Sequence, residues 1–413
     1  MASELSIFAS HLREFIRFQS TESESVEPAH AALLAAHDDA EFNGYAMLLF
    51  ALQFKANAAY RKLCEARGVT PNDVTHWAQI PAVPAVAFKE LELTSLPPED
   101  RARVFHSSGT TGQSPSRHFH SAESLALYEE SLWPWFMRNL QFTNCDLRLL
   151  TPPLEQSPHS SLVYMFETIR RKLDAPESIF HGRIGSDGSW TLDSEALLDA
   201  TRNTQHATLL LGTAFSFVHL LDFMAEHNMR VPLPAGSMVM ETGGYKGRSR
   251  SLPKYELHAL ITERLGVPRS HIVCEYGMSE LSSQAYDTQM ERRLTRPTDS
   301  GVQASACLDG TLKRELQRDG PSLGNPLDAT RNTQHATRPF LFPPWARAQI
   351  ISPETGREVA DGETGLVRVC DLANVFSAMA IQTEDLAVRR GNGFELIGRA
   401  EQSEVRGCSL MAV

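Results

Sequence analysis

Several short stretches of this 413-residue sequence carry residue types able to hold a phosphorylated ligand. Ser107-Ser108-Gly109-Thr110-Thr111-Gly112 follows the short run Arg103-Val104-Phe105. Glycines let a backbone turn tightly against a phosphate, and backbone N–H groups with Ser/Thr hydroxyls supply its donors. The pattern is not a Walker A loop, which needs Gly-Lys-Ser/Thr after a four-residue spacer. Glu275-Tyr276-Gly277-Met278-Ser279-Glu280 places a hydroxyl beside a carboxylate, a pair that can hold a phosphate and its Mg²⁺. The same pair also suits a helix N-terminus, and the residues alone leave both readings open. Thr383-Glu384-Asp385 offers a carboxylate as acceptor for ribose hydroxyls, and Gly398-Arg399 a guanidinium for carboxylate or phosphate. Taken singly, these too are ordinary turn and surface residues. His106, His118, His120 and His159 lack zinc-ligand spacing.

The elements that must position these residues alternate in type. Apolar runs at Leu147–Thr151, Ala207–Thr213, Ser237–Glu241 and His271–Glu275 read as buried strands. Between and before them, Ser121–Asn139, Ser161–Leu173 and Phe215–Glu226 read as helices, with Leu125, Leu127, Tyr128, Leu132 and Phe136 as the buried side of the first. Alternating strands and helices predict an α/β fold of mixed, mostly parallel sheets flanked by helices. The Tyr276 motif then lies at a strand's carboxyl end, where open α/β sheets bind ligands. Ala348–Ile351 and Thr364–Val369 flank Asp361-Gly362-Glu363 and predict a smaller antiparallel β unit. A short helix is expected near the N-terminus. Phe42, Tyr45, Leu49, Leu52, Ala56, Tyr60 and Leu63 then predict one helical stripe ending at Gly68. The prolines of Ile80–Lys89 exclude a regular helix there. The expected division is a helical segment over 1–75 and one large domain over 76–413. Leu198–Thr208 recurs identically at Leu327–Thr337, inside a Gly/Ser/Pro-bearing stretch that reads as an inserted loop over about 300–337.

Composition is that of a globular protein: 42% hydrophobic, 22% charged, net charge −11. No long basic run is present, which argues against nucleic acid as the main partner. No secretory signal and no membrane span are expected. The six cysteines include no Cys-x-x-Cys pair, which points to reduced thiols in a cytoplasmic chain.

In this order, the Ser/Thr/Gly loop, Tyr-Gly-x-Ser-Glu, Thr-x-Asp and Gly-Arg resemble the acyl-adenylate-forming superfamily. The finer resemblance is to the acyl-protein synthetases of bacterial luminescence operons, the fatty-acid–protein ligases. It is carried also by Ile80–Lys89, Ser157-Pro158-His159-Ser160-Ser161-Leu162, Glu241-Thr242-Gly243-Gly244-Tyr245-Lys246-Gly247 and Arg406-Gly407-Cys408-Ser409-Leu410. The resemblance implies that Ser107, Ser108, Gly109, Thr110, Thr111 and Gly112 wrap the ATP phosphates, and that Gly243, Gly244 and Tyr245 line the adenine pocket. It implies that Tyr276 and Gly277 pack at adenine, Ser279 contacts phosphate, and Glu280 acts in catalysis and helps hold Mg²⁺. Asp385 would bind the ribose hydroxyls with Arg399 nearby, Phe215 would border the acyl tunnel, and Cys408 would take the acyl group as a thioester. The implied reaction activates a carboxylic acid, in this family a long-chain fatty acid, and feeds an acyl reductase. Ligation of another acid to CoA or a carrier protein, or a non-catalytic nucleotide-binding role, stays open. Two departures stand out. Ser114-Pro115-Ser116-Arg117 replaces the usual Pro-Lys after the loop, which puts Arg117 in the place of the lysine charge. The sequence ends 14 residues after Arg399, so the superfamily's small C-terminal domain, with its catalytic lysine, is expected to be absent.

Overall fold

The computed structural model describes residues 3–21, 28–107, 114–142, 144–176, 179–186, 189–243, 252–287 and 338–399, with the backbone alone at 21 and 28–38. Ser108, Gly109, Thr110, Thr111, Gly112, Gly244, Tyr245, Cys408 and the 300–337 stretch lie outside the described residues.

Four strands, numbered in chain order, run parallel and adjacent: β4 (Cys145–Leu149), β7 (Ala207–Thr213), β8 (Met238–Thr242) and β9 (Ile272–Tyr276). The short β10 (Ala285–Tyr286) closes the far edge antiparallel to β9. The expected strand at Ala207–Thr213 is found with those bounds, and the other three are displaced by one or two residues. These strands carry no polar alternation because both faces are buried. Leu209, Leu211, Met240 and Val273 enter one core, while Leu210, Val239 and Ile272 enter a second. The second core is covered by α8 (Ala214–Glu226) and α9 (Lys254–Leu265), through Phe217, Leu221, Leu257 and Ile261. The first contains Leu127, Leu132 and Phe136 of α5 (Ala122–Leu140) and Phe166 of α6 (Ser161–Lys172). Ser121, Ser160 and Thr213 begin α5, α6 and α8 as side-chain caps, each accepting a backbone N–H three residues on. The first copy of the repeated segment, Leu198–Thr208, spans the end of α7 (Ser194–Arg202) and the entry to β7.

The antiparallel unit is larger than its sequence pattern suggests. β11 (Ala346–Ile351), β12 (Thr364–Asp371), β13 (Ala380–Arg390) and β14 (Gly393–Arg399) pair in succession. β1 (Val83–Pro84), from the proline-rich Ile80–Lys89 stretch, adds in parallel to the start of β13, and the stretch continues as the one-turn helix α4 (Ala87–Glu90). Two hairpins complete the strands: β2 (Arg103–His106) with β3 (Arg117–His120), and β5 (Gly182–Ile184) with β6 (Trp190–Leu192). The large sheets meet along Phe340 and Leu341. Leu341 bridges Tyr286 of β10, and Phe340 bridges Phe394 of β14.

The N-terminal helix α1 (Glu4–Thr21) has 18 residues, longer than the short helix expected, and Arg13 joins it to Glu130 of α5 at 2.6 Å. The single stripe expected from Phe42 is two helices, α2 (Pro28–Ala56) and α3 (Ala58–Ala66). Phe42, Leu49 and Tyr60 are buried as expected, but Ala56 is exposed. The break falls at Asn57, a buried N-cap that accepts the Tyr60 N–H and donates to the Ser377 carbonyl at 3.2 Å. Gly68 stands just past α3 with φ +66°. One turn before the break, the buried Gln53 amide donates to Asn374 O (2.7 Å) and Val375 O (3.1 Å) and accepts from Met379 N–H (3.1 Å). The N-terminal helices are therefore hydrogen-bonded into the loop between β12 and β13.

Replacing Gln53 by Leu removes three hydrogen bonds and strands the buried Val375 carbonyl and Met379 N–H, while Asn374 O keeps the Ser377 N–H. We expect a loss of about 3 kcal/mol in urea unfolding, and an unchanged midpoint would show that water reaches these groups.

Candidate functional site

Ser107 lies just beyond β2 and forms the base of the glycine loop. Its N–H donates to Ser116 Oγ at 3.2 Å, and the Ser116 N–H donates back to Ser107 Oγ at 3.0 Å. This reciprocal pair holds the two ends of the loop together. Ser116 Oγ is 3.4 Å from Ser279 Oγ, so the loop's base meets the Tyr276–Glu280 stretch. From β3, His118 Nδ1 is 2.9 Å from the Ser279 carbonyl, which makes Nδ1 the protonated donor. Burial brings the His118 pKa down to about 4, against the opposing pull of that bond, so the imidazole is neutral at pH 7. His106 and His159 stack at 4.5 Å, and no group of three or more His, Cys, Asp or Glu among the described residues is arranged for a metal. Arg117 has its guanidinium 3.7 Å from Glu92 and over the Phe119 ring.

Ser279 and Glu280 form a turn, not a helix N-terminus, which decides between the two sequence readings. Ser279 Oγ donates to Glu280 Oε2 at 2.9 Å. Glu280 is 4% exposed and has no basic side chain in ion-pair range among the described residues. Its main chain is anchored from β12 and the loop after it. Asn374 Nδ2 donates to Glu280 O at 2.7 Å, and Asn374 Oδ1 accepts from Ser282 Oγ at 2.6 Å. The fully buried Asp371 accepts Ser282 N–H and Ser283 N–H at 2.8 Å each, Ser283 Oγ–H at 2.7 Å and Ala373 N–H at 3.0 Å.

Tyr276 ends β9 inside an aromatic cage. Its ring centroid lies 5.3 Å from Phe394, 6.0 Å from Phe340 and 6.3 Å from Phe342. Its hydroxyl crosses to the other sheet and donates to Asp385 Oδ2 at 2.8 Å. Burial, with Asp385 beside it, pushes the phenol well above its ordinary pKa, so Tyr276 stays a donor. Asp385 and Arg399 pair across β13 and β14, and Arg399 Nε donates to Asp385 Oδ1 at 3.0 Å. Each carboxylate oxygen keeps a further lone pair for a hydroxyl. A Cβ at Gly277 would stand 2.4 Å from Glu275 Oε1, so a side chain there would have to displace that buried carboxylate. Gly243 follows β8 directly with φ +70°, a conformation that favours glycine. Phe215, in the first turn of α8, packs on Trp190 and His219.

The structure therefore gathers Ser107, Ser279, Glu280, Tyr276, Gly277, Asp385 and Arg399 from four separate chain regions. Sequence reasoning overlooked Glu275, Thr242, Asp371 and Asn374. The signal for Glu275 was a carboxylate ending an apolar strand one residue before the tyrosine. It is fully buried, and Thr242 Oγ1 donates to Glu275 Oε2. Burial raises its pKa to about 7, with the Thr242 hydroxyl opposing and the nearby Glu241 adding. Glu241 itself is held below the usual carboxylate range by His258, 3.3 Å away, against its own burial.

No family model matches the chain. The topology is that of adenylate-forming ligases. The chain superposes with a TM-score of 0.60 at 15% identity on 2-hydroxyisobutyryl-CoA ligase in complex with 2-HIB-AMP and CoA, covering 89% of this chain and 69% of that one. A second structure of that ligase, in the postadenylation state, gives a TM-score of 0.59 at 14% identity over 88% and 68%. In sequence the chain is similar to the long-chain-fatty-acid–luciferin-component ligase of Aliivibrio fischeri, 23% identical over 384 residues, 87% of this chain and 85% of the relative. The Vibrio harveyi ligase of the same name is 22% identical over 368 residues, 86% and 82% respectively. The resemblance first carried by the motifs is thus found again in whole-chain sequence and in fold, and both support an AMP-forming acid ligase.

Glu275 has a folded pKa near 7 against 4.5 for the free side chain, so the folded state binds the extra proton between these values. Stability tied to this group is complete below pH 4.5 and is lost as pH rises through 7. Glu275→Gln should gain on wild type between pH 5 and pH 8, by up to about 3 kcal/mol. Thermal unfolding curves that keep a constant difference over that range would place the Glu275 proton elsewhere.

Proposed function

We propose that this chain activates a carboxylic acid with Mg·ATP. The acid's carboxylate attacks the α-phosphorus, acyl-adenylate forms and pyrophosphate leaves. A thiol then takes the acyl group and AMP departs. The observation that carries this reading is the convergence of scattered residues: Ser107 is linked through Ser116 to Ser279, Tyr276 is bonded to Asp385 and Asp385 to Arg399, and the short stretch 276–280 connects the two groups. Asp385, already oriented by Tyr276 and Arg399, would accept the ribose hydroxyls. Tyr276 and Gly277 would border adenine together with Gly243, Gly244 and Tyr245. Ser107 and the loop Ser108–Gly112 would donate to phosphate oxygens, with Ser279 at their base. The buried Glu280 carboxylate, without a basic partner among the described residues, fits Mg²⁺, which binds through one or two carboxylates plus substrate phosphates. The metal would neutralise phosphate charge; the residues' own part is to fix the geometry in which that charge develops.

The names of the curated relatives favour a long-chain fatty acid as substrate. Cys408 is the proposed acyl acceptor, since a thiolate is a strong nucleophile toward an acyl phosphate anhydride. An acyl reductase would then draw the acyl group, in the cytoplasm. Transfer of another acid to CoA or a carrier protein is the second reading, favoured by the CoA ligase fold match.

Acid-dependent ATP–pyrophosphate exchange tests the first step. Exchange should appear with long-chain saturated acids, fall at least 100-fold in Glu280→Gln, and show a KM for ATP raised at least tenfold in Asp385→Ala. Exchange with no acid of a broad panel would turn the reading to a nucleotide-binding protein. Cys408→Ala should keep exchange and lose covalent acyl labelling; equal labelling would remove Cys408 from the mechanism, and thioester formation on added CoA would favour the second reading.

A further inference from the structure

On the adenylation reading, in which Ser279 meets phosphate and Glu280 holds Mg²⁺, we propose that His118 and Asn374 are positioning residues. Together they clamp the Ser279–Glu280 turn against the phosphate loop. Leu281 N–H donates to Met278 O at 3.1 Å and closes a turn with Ser279 and Glu280 at its centre. The hydrogen bond of such a turn occupies the first carbonyl and leaves the two central ones free. In an exposed turn water takes them. Here Ser279 is 6% and Glu280 4% exposed, so both carbonyls need partners from the protein.

Each carbonyl has one, and the two come from different parts of the chain. His118 Nδ1 donates to Ser279 O at 2.9 Å, and Asn374 Nδ2 donates to Glu280 O at 2.7 Å. His118 belongs to β3, the strand that follows the phosphate loop. Asn374 belongs to the connection between β12 and β13. Neither donor is free to swing away. The His118 ring meets Phe88 edge-on at 6.0 Å and lies 4.2 Å from the His120 ring. Asn374 Nδ2 also donates to Ala378 O at 3.1 Å, and Oδ1 accepts the Ser282 hydroxyl at 2.6 Å. Its main-chain carbonyl accepts Gln53 Nε2 at 2.7 Å.

The side chains of the turn follow its main chain. Ser279 Oγ donates to Glu280 Oε2 at 2.9 Å and lies 3.4 Å from Ser116 Oγ, which in turn accepts the Ser107 N–H. The clamp therefore fixes how the Glu280 carboxylate stands relative to the base of the loop. Mg²⁺ demands near-ideal octahedral geometry, so a carboxylate that shares it with a phosphate tolerates little error in that placement. A misplacement of about 1 Å can cost about 100-fold in rate. The nucleoside end is independent of the clamp. Tyr276, Asp385 and Arg399 hold one another, and neither His118 nor Asn374 bonds to any of them.

That independence supplies the test, on the full-length protein. His118→Leu should lower kcat of acid-dependent ATP–pyrophosphate exchange by about 30-fold and weaken Mg·ATP binding, measured by calorimetry without acid, by about tenfold. Its affinity for metal-free AMP should stay at the wild-type value. His118→Asn, whose Nδ2 can stand in for Nδ1, should bring both readouts back to within about threefold of wild type. Asn374→Ala should repeat the His118→Leu pattern from the other side of the turn. Wild-type exchange and Mg·ATP binding in His118→Leu would overturn the proposal. Loss of metal-free AMP binding in step with Mg·ATP would do the same, because it marks a merely structural role. No recovery in His118→Asn, or unaltered Mg·ATP binding in Asn374→Ala, would also sink the clamp. In all four cases the wild type still exchanges and the adenylation reading stands. Exchange with no acid in the wild type itself overturns that reading, and the clamp's role with it.

Discussion

The buried carboxylate of Asp371 is the constraint on which the arrangement of the site rests. It ends β12, in the antiparallel sheet, yet three of its hydrogen-bond donors come from Ser282 and Ser283, which follow the parallel strand β9. Burial pushes its pKa up, and the Ser283 hydroxyl and three backbone N–H groups oppose that. No cation pairs with it among the described residues, so hydrogen bonds alone meet its desolvation. Such a group tolerates little movement. The turn at Ser279–Glu280 is held between this anchor on one side and His118 and Ser116 on the other.

The anchor extends outward through Asn374 to Gln53 and Asn57, which gives the N-terminal helices a part in the site without touching it. The sequence pattern sets residues 1–75 apart as a helical segment. The hydrogen bonds of Gln53 and Asn57 reach residues 374–379, some 320 positions later in the chain. A second crossing runs through Tyr276, Asp385 and Arg399. Between the two crossings, Phe340 and Leu341 stitch β10 to β14. The candidate site is thus a seam between sheets, polar where a ligand is to be held and aromatic where the sheets close.

Much of the architecture was legible from local pattern. Ala207–Thr213 is apolar without alternation because both faces of its sheet are covered, and that alone marks a buried parallel strand. The helices expected at Ser121–Asn139, Ser161–Leu173 and Phe215–Glu226 are found within one residue, with Ser121, Ser160 and Thr213 as the hydroxyl caps that satisfy their first backbone donors. Legibility failed where a residue's role is set by a distant partner. Asn57 breaks a helix whose apolar stripe continues across it, because its amide is drawn to Ser377. β1 looks like a proline-rich connection and becomes a strand only because β13 offers it an edge. Glu275 reads only as the last residue of a buried strand, and its near-neutral pKa arises from burial beside Thr242 and Glu241.

What the sequence determined by itself is the inventory of the chemistry: the hydroxyls, carboxylates and glycines, their order along the chain, and the strands and helices that carry them. These follow from side-chain type and short-range periodicity, which are local. The tertiary structure alone decided that Tyr276 meets Asp385, that Glu280 is buried without a counter-charge among the described residues, and that His118 and Asn374 meet the same turn. Those facts depend on which strands become neighbours and on how much water is excluded between them. Both are set by packing summed over the whole chain.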